Sequence, residues 1–295
     1  MRGREPNMDK QELDLQAPLI SASFPSTMPS FKGAQTIKSW FHNDSSVTNS
    51  DMPNSSYTFF SKMASVSLHR ADRMRFLGFP PEILNMLRDT IKQSWPLGIQ
   101  LEKPYGGSHE YVLWGFPWDG KGQAGIEARR LVRNVLAALY GAGWILIFST
   151  DVSKKETDKD TMIFRHQMPP PPPSEWISIA FSQFNMVRLI DVPPDLSWEL
   201  HNALTIARLR REPHQYSQGV TEIALNSSYW YAEGSDTMLA RQLILQLVLT
   251  LEQHGFTVYA SVDQKNTYQE HRSETDTWHL CRPIGWKPGM PVFHR

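Results

Sequence analysis

Two tandem copies of one α+β unit are what this sequence predicts. Each copy runs to about 105–110 residues, is ordered roughly β-β-α-β-β-α-β-β, and is related to the other by pseudo-two-fold symmetry. Three observations predict it. Arg75-Phe76-Leu77-Gly78-Phe79-Pro80-Pro81-Glu82-Ile83 is echoed by Arg188-Leu189-Ile190-Asp191-Val192-Pro193-Pro194-Asp195-Leu196. Residues 128–151 match 240–263 at Ala128, Arg129, Leu131, Leu139, Gly143, Ser149 and Asp151, all at an offset of 112, where chance at ordinary composition leaves roughly one or two identities. Trp118 recurs as Trp230 and Asp160-Thr161 as Asp276-Thr277, in the same order along the chain.

The elements follow in order. Val66 and Leu68 in the first copy, and Ile177, Ile179 and Phe181 in the second, alternate with more polar residues, the period of a strand with one buried face. Second strands follow at 74–79 and 187–192. The Pro-Pro-acid triplets then start helices, because proline needs no amide partner in the first turn and the acid faces the positive end of the dipole. Ile83, Leu87 and Ile91 form a helical stripe, repeated by Leu196, Leu200 and Leu204. Strands at 110–114 and 222–225 precede the longest helices.

In the first long helix Leu131, Val132, Val135, Leu136 and Leu139 form the core face, with Arg129, Arg130 and Arg133 opposite. In the second, Ser235 is the expected N-cap and Leu243, Ile244, Leu247, Val248 and Leu251 form the same face. There Leu239, Leu245 and Leu249 widen the apolar arc, so this helix is expected to be buried on two sides, with Leu245 and Leu249 against the other copy. Gly143 and Gly255 fit left-handed helix stops, apolar strands begin at Trp144 and Phe256, and a last strand follows each Asp-Thr pair.

Domain boundaries follow from composition. Residues 1–63, rich in Ser, Asn, Pro and Asp, are predicted to be a disordered N-terminal tail. Repeat 1 covers 64–168, a polyproline linker 169–175, and repeat 2 with a C-terminal extension 176–295. The five prolines at 169–173 make a stiff spacer, with a ligand for a proline-reading domain as the alternative.

Lys plus Arg and Asp plus Glu are both 30, so no global field draws the chain to nucleic acid or an anionic membrane. The first residues lack the apolar core of a secretory signal, and no apolar run approaches the roughly 20 residues of a membrane helix. With a single cysteine, Cys281, the expectation is a cytoplasmic or nuclear protein. Arg70, Arg73 and Arg75, and Arg208, Arg210 and Arg211, are local basic clusters, but no aromatic strand motif of RNA binders accompanies them.

Candidate chemistry is sparse. Ten histidines show no ligand spacing, so neither metal nor cofactor is expected. Asp151 with Asp263 and Asp160 with Asp276 read first as turn-closing residues carried along by the duplication, and are the candidate acids for proton transfer. Lys121, Gly122 and Arg129 form a candidate anion site at a helix N-terminus. A cation there opposes the helix dipole, so Arg129 and Arg241 are expected to have some partner, such as Glu110 or Glu222, with anion capture as the alternative. Trp118 and Trp230 are candidate partner-binding anchors, or core.

The two-repeat pattern, the Phe-Pro-Pro-Glu helix start at 79–82, the Gly-Trp strand entry at 143–144, the Asp-Thr-Trp close at 276–278 and the ending at 285–294 together resemble a group of uncharacterised fungal proteins. The resemblance covers about residues 64–295 and implies no activity. The expectation is therefore a non-catalytic binding or adaptor protein, acting on a protein partner through the groove or junction between repeats. An enzyme with an acid-based site at that junction and a nucleic-acid binder are the alternatives.

Overall fold

The prolines, glycines and apolar stripes of the sequence place twelve strands and four α-helices among the described residues. The structure, a computed structural model, describes residues 61–152, 159–205, 212–264 and 276–292, all within one unit spanning Phe59–Arg295. The predicted tail, but for its last residues, lies outside the described residues, as do Arg208, Arg210 and Arg211.

Repeat 1 runs β1 (Met63–His69), β2 (Arg73–Leu77), α1 (Pro81–Ser94), β3 (Ile99–Tyr105), β4 (Ser108–Leu113), α2 (Gly122–Gly141), β5 (Trp144–Thr150) and β6 (Thr161–His166). Repeat 2 repeats it: β7 (Ser174–Ser182), β8 (Met186–Ile190), α3 (Pro194–Leu204), β9 (His214–Ser217), β10 (Val220–Ala224), α4 (Asp236–Gln253), β11 (Thr257–Val262) and β12 (Thr277–Pro283). Each repeat is a six-stranded antiparallel sheet with two helices. The sheet orders correspond strand for strand, β3-β4-β2-β1-β6-β5 and β9-β10-β8-β7-β12-β11.

Local chemistry explains the elements. Pro81 and Pro194 open α1 and α3, followed by Glu82 and Asp195 in the first turn. Gly143 ends α2 at a φ of 81°, and a Cβ there would meet the Gln167 carbonyl oxygen at 2.6 Å, so only glycine fits. Ser235 precedes α4 but makes no side-chain cap. The bond nearest that end runs instead from the Thr237 hydroxyl to the Gly234 carbonyl.

The layers alternate. Strands β1 and β2 bury Ala64, Val66, Leu68, Met74 and Phe76 toward α1 and α2, and leave Met63, Leu77, Arg73 and Arg75 on the other face. Strand β7 is buried on both faces: Ile177, Ile179 and Phe181 meet α3 and α4, whereas Ala180 meets Ile126 of α2. The first core takes in Tyr259, Ala260, Val262 and Cys281 of repeat 2, so one apolar interior crosses the junction. The stack is sheet, helices, sheet, helices, and among the described residues no element covers the first sheet's outer face or the last helices' outer face.

Candidate functional site

Helix α2 is the element on which the junction is built. Its core stripe, Leu131, Val132, Val135, Leu136 and Leu139, is fully buried under the first sheet. Its opposite stripe, Ile126, Arg129, Arg130 and Arg133, lies on the second sheet. Arg130 clamps the Asp191 carboxylate with Nε and Nη2 at 2.9 and 2.7 Å, and Arg133 adds Nη1 at 2.6 Å. Burial pushes Asp191 up, but the guanidiniums of Arg130 and Arg133 outweigh it and hold the carboxyl below its usual range. Arg129, 3% exposed, donates to Thr277 Oγ1 at 3.1 Å and to the Gly125 carbonyl at 2.9 Å.

Glu110 and Glu222, the partners suggested for Arg129 and Arg241, each pair with an arginine of the neighbouring strand. Strand register places Arg75 opposite Glu110 and Arg188 opposite Glu222. Those are the ion pairs, at 2.7 and 2.8 Å. Arg241, like Arg129, bonds the carbonyl four residues back, at 2.9 Å to Thr237. Behind Arg129 and Arg133, His279 is wholly buried between the Ser178 hydroxyl at 2.9 Å and the Gln264 amide at 2.7 Å. Burial, with the positive charges of Arg133 and Arg129, lowers His279 to about 3, so the ring is neutral.

The four candidate acids gather at one end of the junction. Strands β5 and β11 run side by side, tied by the Leu146 amide to the Tyr259 hydroxyl at 2.8 Å. Asp151 follows one and Asp263 the other. Asp160 accepts the Asp263 amide at 3.1 Å, and Asp276 accepts the Ser261 hydroxyl at 2.8 Å. Burial raises Asp160, and the charges of Asp276 and Asp151 add to it against the Asp263 amide. Among the described residues no three His, Cys, Asp or Glu side chains are grouped to hold a metal ion.

The remaining candidates separate. Lys121 is exposed, and Gly122 sits beside the Tyr216 hydroxyl, whereas Arg129 is turned into the junction. Trp118 is wholly buried and donates its indole N–H to the Arg73 carbonyl at 3.1 Å. Trp230 makes the corresponding bond to Met186 at 3.3 Å but is only half-buried. It lines an open cavity of about 440 Å³ with Phe181, Arg241, Asp276 and Trp278.

Helix α4 corrects the sequence reading most sharply. Leu245 and Leu249 were expected against the other repeat, yet they are 68% and 50% exposed, with Met238 at 56%. The two-sided helix is α2, in the first repeat. The arginines that made α2 look solvent-facing are satisfied by Asp191, Thr277 and backbone carbonyls, so a polar stripe became the buried one. No sequence period signals this; the recurrence of Arg129 was the only hint.

No helix among the described residues is long and apolar enough to cross a membrane. A comparison with curated proteins gives no match. A crystal structure of a conserved kinetoplastid-specific protein from Trypanosoma cruzi is similar at 19% identity, with a TM-score of 0.29 over 37% of this chain and 100% of that one. One family model matches twice, over residues 62–165 and 175–281, and the chain therefore belongs to that family and carries its domain in tandem.

Proposed function

We propose that this is a non-catalytic binding or adaptor protein whose partner is another protein. One observation carries the reading. Helix α4 holds Met238, Leu245 and Leu249 in solvent at the positions where α2, its duplicate, is covered by a sheet. They recur at i, i+7 and i+11 and so form one stripe. Such a stripe on a soluble surface marks a contact site, and burying each side chain contributes about 1.5–3 kcal/mol. Helix α2 occupies the space between the repeats, which favours the outer faces for binding over the groove or junction. The polyproline segment at 169–173 supplies a second docking point for a proline-reading domain. Cytoplasm or nucleus is the compartment that suits this reading, and the fungal affiliation rests on the sequence resemblance alone.

The test is a photo-crosslinking residue placed at position 245 of the full chain, with Glu199 on α3 as the exposed control. Selective capture of a protein at 245 supports the reading. Equal background at both positions contradicts it.

A second reading, an enzyme using the acids at the junction, is favoured by the raised Asp160 carboxyl beside Asp276 and Asp151. It gains the lead if a purified activity is abolished by Asp160→Asn in a variant that melts normally. Nucleic acid is disfavoured because Arg73 and Arg75 are engaged with the buried Glu110.

A further inference from the structure

The duplication makes the in-chain junction a template for a second contact. Residues of α2 map onto α4 at an offset of 112: Ile126 onto Met238, Arg130 onto Gln242, Arg133 onto Leu245. The face of the second sheet that α2 covers maps, strand for strand, onto the outer face of the first sheet. There Ile190 corresponds to Leu77 and Asp191 to Gly78. Gly78 and Asp191 share the left-handed backbone, at φ of 82° and 55°, which confirms the alignment at that turn.

The two open faces differ from the junction in complementary ways. In the junction two arginines meet one aspartate. On α4 those arginines are Gln242 and Leu245, and on the first sheet the aspartate is Gly78. A lone aspartate under an apolar helix would be a desolvated, uncompensated charge, and neither side retains one. Ile126 closes a buried cluster with Ala180, Ile190 and Val220. Its counterpart Met238 would meet Leu77, which is 43% exposed. Farther along, Tyr140 packs edge-on to Trp176 at 5.5 Å. The corresponding residues are Glu252 and Met63, and Arg165 stands opposite Met63 in register, so Glu252 would find a cation there.

The two faces lie on opposite outer sides of the stack, so they cannot meet within one chain. We infer that a second copy of this chain is the partner. The α4 face of one copy docks on the open face of the first sheet of the next, in the register of the α2 junction. This rests on the binding reading above and names its partner. The contact is heterologous, so it does not close at a dimer but extends head to tail.

Sedimentation velocity of the full chain tests it. The wild-type protein is expected to grow beyond a dimer with concentration. Leu245→Glu blocks one face and Leu77→Glu the other, and each alone should weaken association at least tenfold. An equimolar mixture of the two variants keeps one intact face from each, and should form a heterodimer that stops there. Where Leu77→Glu lowers the melting point, Met63→Glu on the same face replaces it. A mixture that stays monomeric, or a Leu77→Glu protein that still associates, overturns the head-to-tail register. If wild type is monomeric throughout while position 245 still captures another protein, self-association fails and the binding reading stands. If both fail, both readings fall.

Discussion

Helices α2 and α4 are the same element of a duplicated domain, and they do different work. Both bury a stripe of leucines under their own sheet, joined on α2 by Val132 and Val135. The second stripe of α2 is polar and buried, whereas that of α4 is apolar and exposed. Width of the apolar arc therefore did not measure how many sides of the helix are covered. A guanidinium stripe can be interior when each donor is met, as by Asp191, Thr277 and the Gly125 carbonyl. A leucine stripe can be exterior when its partner belongs to another molecule.

The comparison can be broken most severely at the shared core stripe. Leu247→Ala on α4 removes a wholly buried side chain and should cost about 3 kcal/mol, read from urea unfolding. A loss below about 1 kcal/mol would mean that α4 is not seated on its sheet. Next comes the junction. Asp191→Asn tolerates the left-handed backbone but removes the charge that Arg130 and Arg133 share, and should cost about 2 kcal/mol by the same measurement.

Acid separates the two faces further, since among the described residues only the covered one buries a histidine. Burial and the nearby arginines push His279 down to about 3 in the fold from an ordinary 6.5, so the unfolded chain gains a proton that the folded one refuses. Stability is fully present above pH 6.5. It falls as pH drops from 6.5 toward 3, with a slope of at most about 1.4 kcal/mol per pH unit. Asp191 and Glu110, whose carboxyls are held below their usual range, add their loss as pH falls through their own folded values. His279→Gln should flatten unfolding midpoints between pH 6.5 and 4, and an unchanged slope would place the ring in contact with water. The smallest effect belongs to the open stripe. Leu245→Ala in dilute protein should shift stability by less than about 0.5 kcal/mol.

Much of this was legible in the sequence. The Pro-Pro-acid helix starts, the alternation at Val66 and Leu68 and the matched block around Leu131 and Leu243 named the duplication and its element order, because each reports a local rule. Edge strands β3 and β9 were not placed individually. Their residues, such as Leu101, Lys103, Tyr105 and Tyr216, are largely exposed and so carry no alternation of burial. The gathering of Asp160 with Asp263 was foreseeable from the recurrence of these acids at matching positions in the two repeats. The interior role of Arg129 and Arg133 was not, because it depends on Asp191 and Thr277, which are distant in the chain and adjacent only after the repeats stack.

The most direct test of the account is hydroxyl-radical footprinting of the full chain as its concentration rises. The account predicts that Ile126 is protected at every concentration. Met238, Leu245 and Leu249 should label strongly when dilute, and then lose reactivity together with Met63 and Leu77 when concentrated. Labelling of Ile126 as strong as that of Met238 in dilute protein would contradict the central claim, that the first repeat's long helix is covered on both sides and the second's on one.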